Sequence, residues 1–186
     1  MSYDFQLLPR SLGSDLLAHA HADDHEGEIN PGPPTPEGED RKARLSRALA
    51  TSNPMLTQFA FGFAEIAKTR GITEAEARVQ FRHVELNGPE GGNGIQLTLF
   101  DNAASITVPY WHQGAQAAIV VDEIWRYLDV LEREGHFATF DPQLDKILDL
   151  VKDKPAVLAA YARVIERMPQ IVAQATRRAK PWWQFW

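Results

Sequence analysis

The chain has 186 residues, of which 44% are hydrophobic and 24% charged, a composition typical of one globular domain over residues 1–186. Its net charge of -6 disfavours nucleic-acid binding, which needs a basic surface. The lack of cysteine excludes disulfides, thiolate catalysis and Cys-ligated zinc, and the lack of an apolar run of about 20 residues excludes a bilayer-spanning segment. We therefore expect a cytoplasmic protein.

The N-terminal part of the chain joins a strand pattern to an acidic stretch. Apolar and polar residues alternate over Tyr3–Leu7, which predicts a half-buried strand. Residues 1–40 hold nine acids and one base, so nearly all of the negative charge lies there. Residues 27–38 contain four prolines and three glycines, which a helix or an interior strand does not tolerate. We assign residues 11–40 to an acidic Pro/Gly-rich loop or partly disordered segment.

Helical and strand periods then alternate along the chain. Helical spacing of apolar residues occurs over residues 39–50, 55–68 and 114–133, and again after Pro155. Between the second and third of these helices, three alternating stretches with short turns predict an antiparallel meander. This order predicts an α+β fold, in which long helices pack on one face of an antiparallel sheet of about four to five strands.

The sequence lacks a recognisable catalytic or metal-binding motif. Neither G-x-S-x-G, H-E-x-x-H nor a phosphate-binding glycine pattern occurs, so we predict no catalytic residue and no cofactor, and we leave the question of an enzyme open with a leaning towards none. His19, His21 and His25 stand beside carboxylates in the acidic segment, and such groups suit zinc, nickel or copper. They are weak candidates in a solvated tract, and we expect no metal site.

One corner of the predicted fold is a candidate small-molecule site. Tyr110, Trp111 and His112 lie where a strand passes into the 114–133 helix, so aromatic walls and an imidazole come together there. His112 would serve as acid or base. The alternative is a buried aromatic bridge between sheet and helix. Farther along, Asp141 and Pro142 predict a type I turn that displays Gln143.

The C-terminal tail, residues 180–186, is strongly aromatic. It contains Trp182, Trp183 and Trp186, and three basic residues, Arg177, Arg178 and Lys180, precede these tryptophans. Aromatic and basic side chains together form protein-binding hot spots or anchor at a membrane interface, and such a tail also folds back on its own domain. All three alternatives stay open.

Three short motifs carry a family resemblance. The start Met1-Ser2-Tyr3-Asp4, the stretch 106–111 leading into a Trp-containing helix, and Phe140-Asp141-Pro142-Gln143 resemble a loose group of small uncharacterised bacterial proteins. That group begins MSYD and carries a late Tyr-Asp-Pro-Gln motif, with Phe140 here in the place of Tyr. Some members resemble immunity proteins of bacterial toxin systems. The resemblance implies a protein that binds a partner, and it implies no catalytic residues.

The first functional hypothesis is a non-enzymatic protein-binding module, an immunity or adaptor protein that neutralises a cognate effector. The acidic segment would suit a basic effector and steer its approach. A second hypothesis is a small-ligand-binding protein or enzyme with its pocket at Tyr110, Trp111 and His112. A third is a homo-oligomer that closes through the Trp-rich tail.

Overall fold

The computed structural model describes residues 2–22, 33–89 and 91–164. His25 and the tail with Trp182, Trp183 and Trp186 lie outside these residues, so the expectations for them stay predictions.

A single antiparallel sheet of seven strands is the centre of the fold. The strands are β1 (Ser2–Pro9), β2 (Thr57–Gln58), β3 (Val84–Asn87), β4 (Gln96–Leu99), β5 (Ala104–Pro109), β6 (Phe137–Asp141) and β7 (Lys146–Ile147). Their order across the sheet is β2-β3-β4-β5-β1-β6-β7, so the N-terminal strand lies between β5 and β6. The α+β class is confirmed. The expectation of four to five strands is wrong, because the edge strands β2 and β7 have two residues each and leave no alternating pattern.

Two long helices and several short ones flank the sheet. The helices are α1 (Leu16–Ala22, after a 3₁₀ segment at Arg10–Asp15), α2 (Pro36–Ser52), α3 (Phe63–Arg70), α4 (Glu74–Gln80), α5 (Gly114–Gly135) and α6 (residues 154–164). The expectation of long helices therefore holds for α2 and α5 and is wrong for α1, α3 and α4. Sequence spacing predicts a helix from residue 55, yet α3 starts at Phe63, because residues 57–58 pair with β3 instead.

Parts of the expected acidic loop are helical. The 3₁₀ segment and α1 fall within the expected loop of residues 11–40, and α2 begins at Pro36. The start of α2 has a local cause: the Thr35 side chain accepts a hydrogen bond from the Gly38 N–H at 3.1 Å, and proline is favourable in the first helical turn. The loop expectation is therefore wrong for residues 16–22 and 36–40.

The main core lies between the sheet and the pair α2 and α5. Phe5 of β1 stands opposite Ile106 of β5, and both pack with Leu45 of α2 and Leu128 of α5. Side chains alternate between the two faces of a strand, so Leu8 points away from this layer. On that opposite face it packs with Ala20 of α1 and Phe140 of β6. The expectation that all helices cover one face is therefore wrong for α1.

Candidate functional site

The three residues of the predicted corner lie in three different environments. The Tyr110 ring stacks on Tyr161 of α6, with 5.6 Å between ring centroids, and meets the edge of Tyr3 at 5.9 Å. Trp111 is 64% exposed. His112 is buried, and its Nε2 donates to the Asn93 carbonyl oxygen at 2.6 Å. Their environments differ, and Tyr110 matches the alternative of an aromatic bridge.

Tyr3, Tyr110 and Tyr161 form a group that we call the tyrosine core. The Tyr3 hydroxyl donates to Asp141 Oδ2 at 2.7 Å, and Asp141 is fully buried. Burial raises the pKa of Asp141 and also that of Tyr3, with the hydrogen bond between them adding to the Tyr3 shift. Tyr161 donates its hydroxyl proton to the Pro109 carbonyl oxygen at 2.5 Å. The tyrosine core is therefore a buried, internally bonded structural unit.

The turn after β6 supplies the remaining hydrogen bonds to the Asp141 carboxyl group. The backbone N–H groups of Gln143 and Leu144 donate to Asp141 Oδ1 at 2.8 Å and 3.0 Å. Gln143 is exposed, as the turn motif predicts. Tyr3 and Asp141 come from two of the motifs that carry the resemblance, and both serve packing here. At these two residues the motifs therefore have a structural role.

A pocket opens beside His112, where the end of α2, the loop residues 88–89 and 91–94, and α5 meet. Its volume is about 400 Å³, within the range of ligand sites. Its lining residues come from three separate stretches of chain: Asn53, Met55, Pro89, Gly91, Gly92, Asn93, Gln116 and Glu123. We call it the Glu123 pocket. The sequence predicts a pocket at Tyr110, Trp111 and His112, but none of these three residues lines the Glu123 pocket. His112 is its neighbour and hydrogen-bonds to the backbone of the lining residue Asn93.

The Glu123 carboxylate is held by neutral groups. Asn53 Nδ2 donates to Oε1 at 3.1 Å and Asn93 Nδ2 donates to Oε2 at 2.5 Å. The Tyr127 hydroxyl donates to Oε1 and accepts from Asn53 Nδ2 at 2.6 Å. Burial raises the pKa of Tyr127, and its hydrogen bond to Glu123 adds to this shift, so the hydroxyl keeps its proton. No local motif joins these four residues, and sequence reasoning missed them.

A half-exposed group of phenylalanine rings surrounds the α3–α4 hairpin. The ring centroids of Phe59 and Phe61 lie 5.0 Å apart, and Phe61 reaches Phe63 at 6.1 Å and Phe81 at 6.3 Å. Phe59 is 48% exposed, Val79 is 44% exposed, and the other three rings are half-buried. We call these five residues the phenylalanine surface. From the sequence, Phe59 and Phe63 fall at helical spacing and Val79 and Phe81 are candidate strand residues, so the pattern did not predict this surface.

The helices that carry this surface bury very little. α3 buries Ala67 and α4 buries Ala77, and every other side chain of both helices is exposed or half-buried. Arg78 lies over the Phe63 ring at 4.6 Å, and Arg70 lies over the Phe81 ring at 5.5 Å. Cation–π contacts at exposed sites contribute about 0.5–1 kcal/mol each, so the two arginines stabilise the rings only weakly and leave them partly exposed.

A buried ion cluster anchors the chain directly after Phe81. Lys42 is 1% exposed, and its Nζ lies 3.0 Å from Asp101 Oδ1 and 2.8 Å from the Arg82 carbonyl oxygen. Arg82 Nη2 donates to Asp101 Oδ2 at 2.7 Å. Burial by itself raises the pKa of Asp101, but the hydrogen bonds from Arg82 and Lys42 outweigh it and the pKa is lowered. The cluster ties α2 to the strands beside the phenylalanine surface.

His19 and His21, the two histidines of the acidic segment that the structure describes, do not converge. His19 and His21 lie two residues apart on α1, so their side chains leave different faces of the helix. His21 Nε2 lies 2.6 Å from Asp145 Oδ1, and its ring meets the edge of Phe140. Within the described ranges no three His, Asp or Glu side chains come together as a metal site, and no helix is both long and apolar enough to cross a membrane.

Comparison of the chain with protein-family models, with curated proteins and with solved structures returned no match.

Proposed function

We propose that this chain is a non-enzymatic protein-binding module that docks its partner on the phenylalanine surface. The observation that carries the proposal is an under-buried hairpin. Its two helices each bury one alanine, and Phe61, which precedes α3, contacts the partly exposed rings of Phe59, Phe63 and Phe81 beside them. Contiguous exposed apolar groups of this kind mark interaction sites on proteins. An immunity or adaptor role, as the resemblance implies, would use such a surface.

The chemistry of this surface matches that of binding hot spots. Aromatic and Arg side chains dominate the energetics of protein interfaces, and Arg70 and Arg78 both lie over phenylalanine rings here. Arg78 also pairs with Glu74, whereas Arg70 has no carboxylate within ion-pair distance among the described residues. The partner segment should therefore present apolar side chains flanked by a carboxylate that reaches Arg70.

The neighbouring sheet edge adds to the same surface. The Phe59 N–H donates to the Glu85 carbonyl oxygen at 2.9 Å, so the alternating geometry of an antiparallel strand directs the backbone of Gln58 towards the outer edge. An edge strand with free backbone groups is a template for pairing with another chain. The phenylalanine surface and the β2 edge together give a partner both apolar contact and main-chain hydrogen bonds.

The test uses three forms of the full chain as bait and compares the proteins that each one captures from a lysate of the source organism. The double variant Phe59→Ser with Phe61→Ser should lose a stoichiometric partner that wild type retains. The variant Val151→Ser, which alters an equally apolar side chain that is 91% exposed, should retain it. Circular dichroism of each form checks that the fold is kept.

Two results would count against the proposal. Equal capture by wild type and the double variant would remove the phenylalanine surface from the interface. Recovery of wild type alone, with a sedimentation mass that rises with concentration, would identify a second copy as the partner and would favour the homo-oligomer hypothesis.

A further inference from the structure

We propose that the Glu123 pocket binds an organic cation with N–H donors, an alkylammonium or guanidinium group. Such a group occurs in free amines and in the Lys and Arg side chains of proteins. The inference concerns a different surface from the one that carries the proposed function, and it is tested on the purified chain without a partner.

The first argument is the charge of the carboxylate at the pocket wall. Glu123 is half-buried and lines the cavity. Its three protein partners, Asn53, Asn93 and Tyr127, are all neutral. Over residues 2–22, 33–89 and 91–164, no Lys, Arg or His nitrogen lies within ion-pair distance of it. A partly desolvated carboxylate without a cation favours a cationic ligand.

The second argument is the count of hydrogen bonds. A carboxylate oxygen has two lone pairs, and Glu123 Oε1 accepts from both Asn53 and Tyr127. Glu123 Oε2 accepts only from Asn93 among the described residues, so one lone pair stays available to a donor in the pocket. The carboxylate is also held in place before a ligand arrives, because its three donors fix its orientation. Preorganisation of this kind lowers the cost of binding.

The third argument is the shape and polarity of the walls. Met55, which is 59% exposed, and Pro89 supply apolar surface for an alkyl chain, and the Gln116 amide supplies a further polar group. The loop side of the pocket is backbone at Gly92, where a Cβ would lie 2.8 Å from the Pro89 carbonyl oxygen. Among its described lining residues, a cavity of about 400 Å³ therefore combines one charged acceptor with apolar walls, which suits a small amphipathic cation.

The experiment titrates the full chain with n-butylammonium chloride and follows the backbone amide signals of Gly91, Gly92 and Asn93 by two-dimensional NMR at constant ionic strength. Saturable shifts of these signals are the expected result. The neutral 1-butanol should bind about tenfold more weakly or worse, because it lacks the charge that a charge-assisted hydrogen bond requires. Equal binding of butanol and butylammonium, or no saturable shift with butylammonium, would overturn the proposal.

Three variants on α5 assign the effect to the carboxylate. Glu123→Gln removes the charge, and Gln116→Lys places an ammonium group in the pocket two turns away; each should weaken butylammonium binding by about tenfold or more. Asp129→Asn, the matched control, removes a carboxylate that pairs with Arg133 on the exposed side of the same helix, and it should leave the dissociation constant unchanged. Because Gln116 is exposed, its variant keeps the test valid if Glu123→Gln does not fold. Binding by Gln116→Lys that equals wild type would overturn the proposal.

A second titration separates the two sources of the cation. A blocked tripeptide with lysine at its centre should bind more tightly than butylammonium if the natural ligand is a side chain of a partner protein, since the peptide adds contacts at the rim. If butylammonium binds as tightly as the peptide, a free amine is the natural class of ligand. Either result supports the cation site, whose own test is the butylammonium titration.

Discussion

The tyrosine core and the phenylalanine surface are both groups of aromatic rings in mutual contact, yet one is buried and the other faces solvent. The Tyr3, Tyr110 and Tyr161 centroids lie between 5.6 Å and 5.9 Å apart, and those of Phe59 and Phe61 lie 5.0 Å apart. Ring contact by itself therefore does not distinguish a core from a binding surface.

The difference between the two groups arises from the layers around them. Tyr3 lies on β1, in the middle of the sheet and under α6, and its hydroxyl finds a buried acceptor in Asp141. The phenylalanines follow a two-residue edge strand and short helices, and α3 and α4 pack on each other. An aromatic ring needs a covering layer to leave water, and among the described residues no such layer lies over this edge of the sheet.

The largest expected effect is that of removing a ring from the tyrosine core. Tyr3→Ala should lower the free energy of unfolding by about 3–5 kcal/mol, because it empties a fully buried site and leaves Asp141 without its side-chain donor. Urea denaturation at neutral pH, followed by circular dichroism, measures this loss. A loss below about 1 kcal/mol would show that the core tolerates a cavity at Tyr3, and the tyrosine core would then not differ in stability contribution from the phenylalanine surface.

A smaller effect isolates the hydroxyl group. Tyr3→Phe keeps the ring but removes the donor to Asp141, and it should cost about 1–3 kcal/mol because a buried carboxyl group loses a partner. The matched control is Tyr110→Phe, since the Tyr110 hydroxyl makes no hydrogen bond with the described residues. If both variants lose the same stability, the hydrogen bond to Asp141 contributes nothing beyond the ring.

The acid dependence of stability should have opposite signs for the carboxyl groups of the two regions. Asp101, beside the phenylalanine surface, has a lowered pKa, so its contribution to stability is present above the ordinary value of 3.8 and is lost as the pH falls below it. Asp141, in the tyrosine core, has a raised pKa because of burial, so the folded state takes up the proton first and gains stability as the pH falls towards 3.8.

Denaturation curves of wild type, Asp101→Asn and Asp141→Asn at several acid pH values measure these two contributions. The stability difference between wild type and Asp101→Asn should shrink below pH 3.8, and that between wild type and Asp141→Asn should move in favour of wild type as the pH falls towards 3.8. Parallel curves for the three proteins would contradict the assigned directions.

The smallest expected effect on stability belongs to the phenylalanine surface. Phe59→Ala should cost less than about 1 kcal/mol, because a ring that is 48% exposed in the folded chain has little burial to lose. The same urea measurement as for Tyr3→Ala gives the value directly. A loss comparable to that of Tyr3→Ala would mean that Phe59 belongs to the core and would remove the basis of the proposed interface.

Long regular elements could be predicted from the sequence, and short ones could not. β1 and β5 alternate over enough residues to show period two, and α5 repeats its apolar positions over six turns. Residues 55–68 show apolar residues at helical spacing as well, but there the chain pairs with β3 before α3 begins. Local spacing could not report this pairing, because its hydrogen bonds are made to residues about 30 positions away.

The candidate sites divide in the same way. Tyr110, Trp111 and His112 are adjacent in sequence but lie in different environments. Tyr110 stacks on Tyr161, Trp111 is exposed to solvent, and His112 hydrogen-bonds to the backbone of Asn93. The Glu123 pocket draws on the end of α2, on the loop residues 88–89 and 91–94, and on α5. Its residues have ordinary local roles in a loop or on a helix face, so only their convergence distinguishes them.

The sequence by itself determined the composition class, the α+β order of elements, the central strands and the long α5 helix, because burial of one face leaves a period that can be read locally. Only the tertiary structure decided which aromatic rings are covered, which acid meets Tyr3 and which neutral groups hold Glu123. These outcomes depend on contacts between residues far apart in the chain, such as Tyr3 and Asp141, and on whether a second layer covers an edge of the sheet.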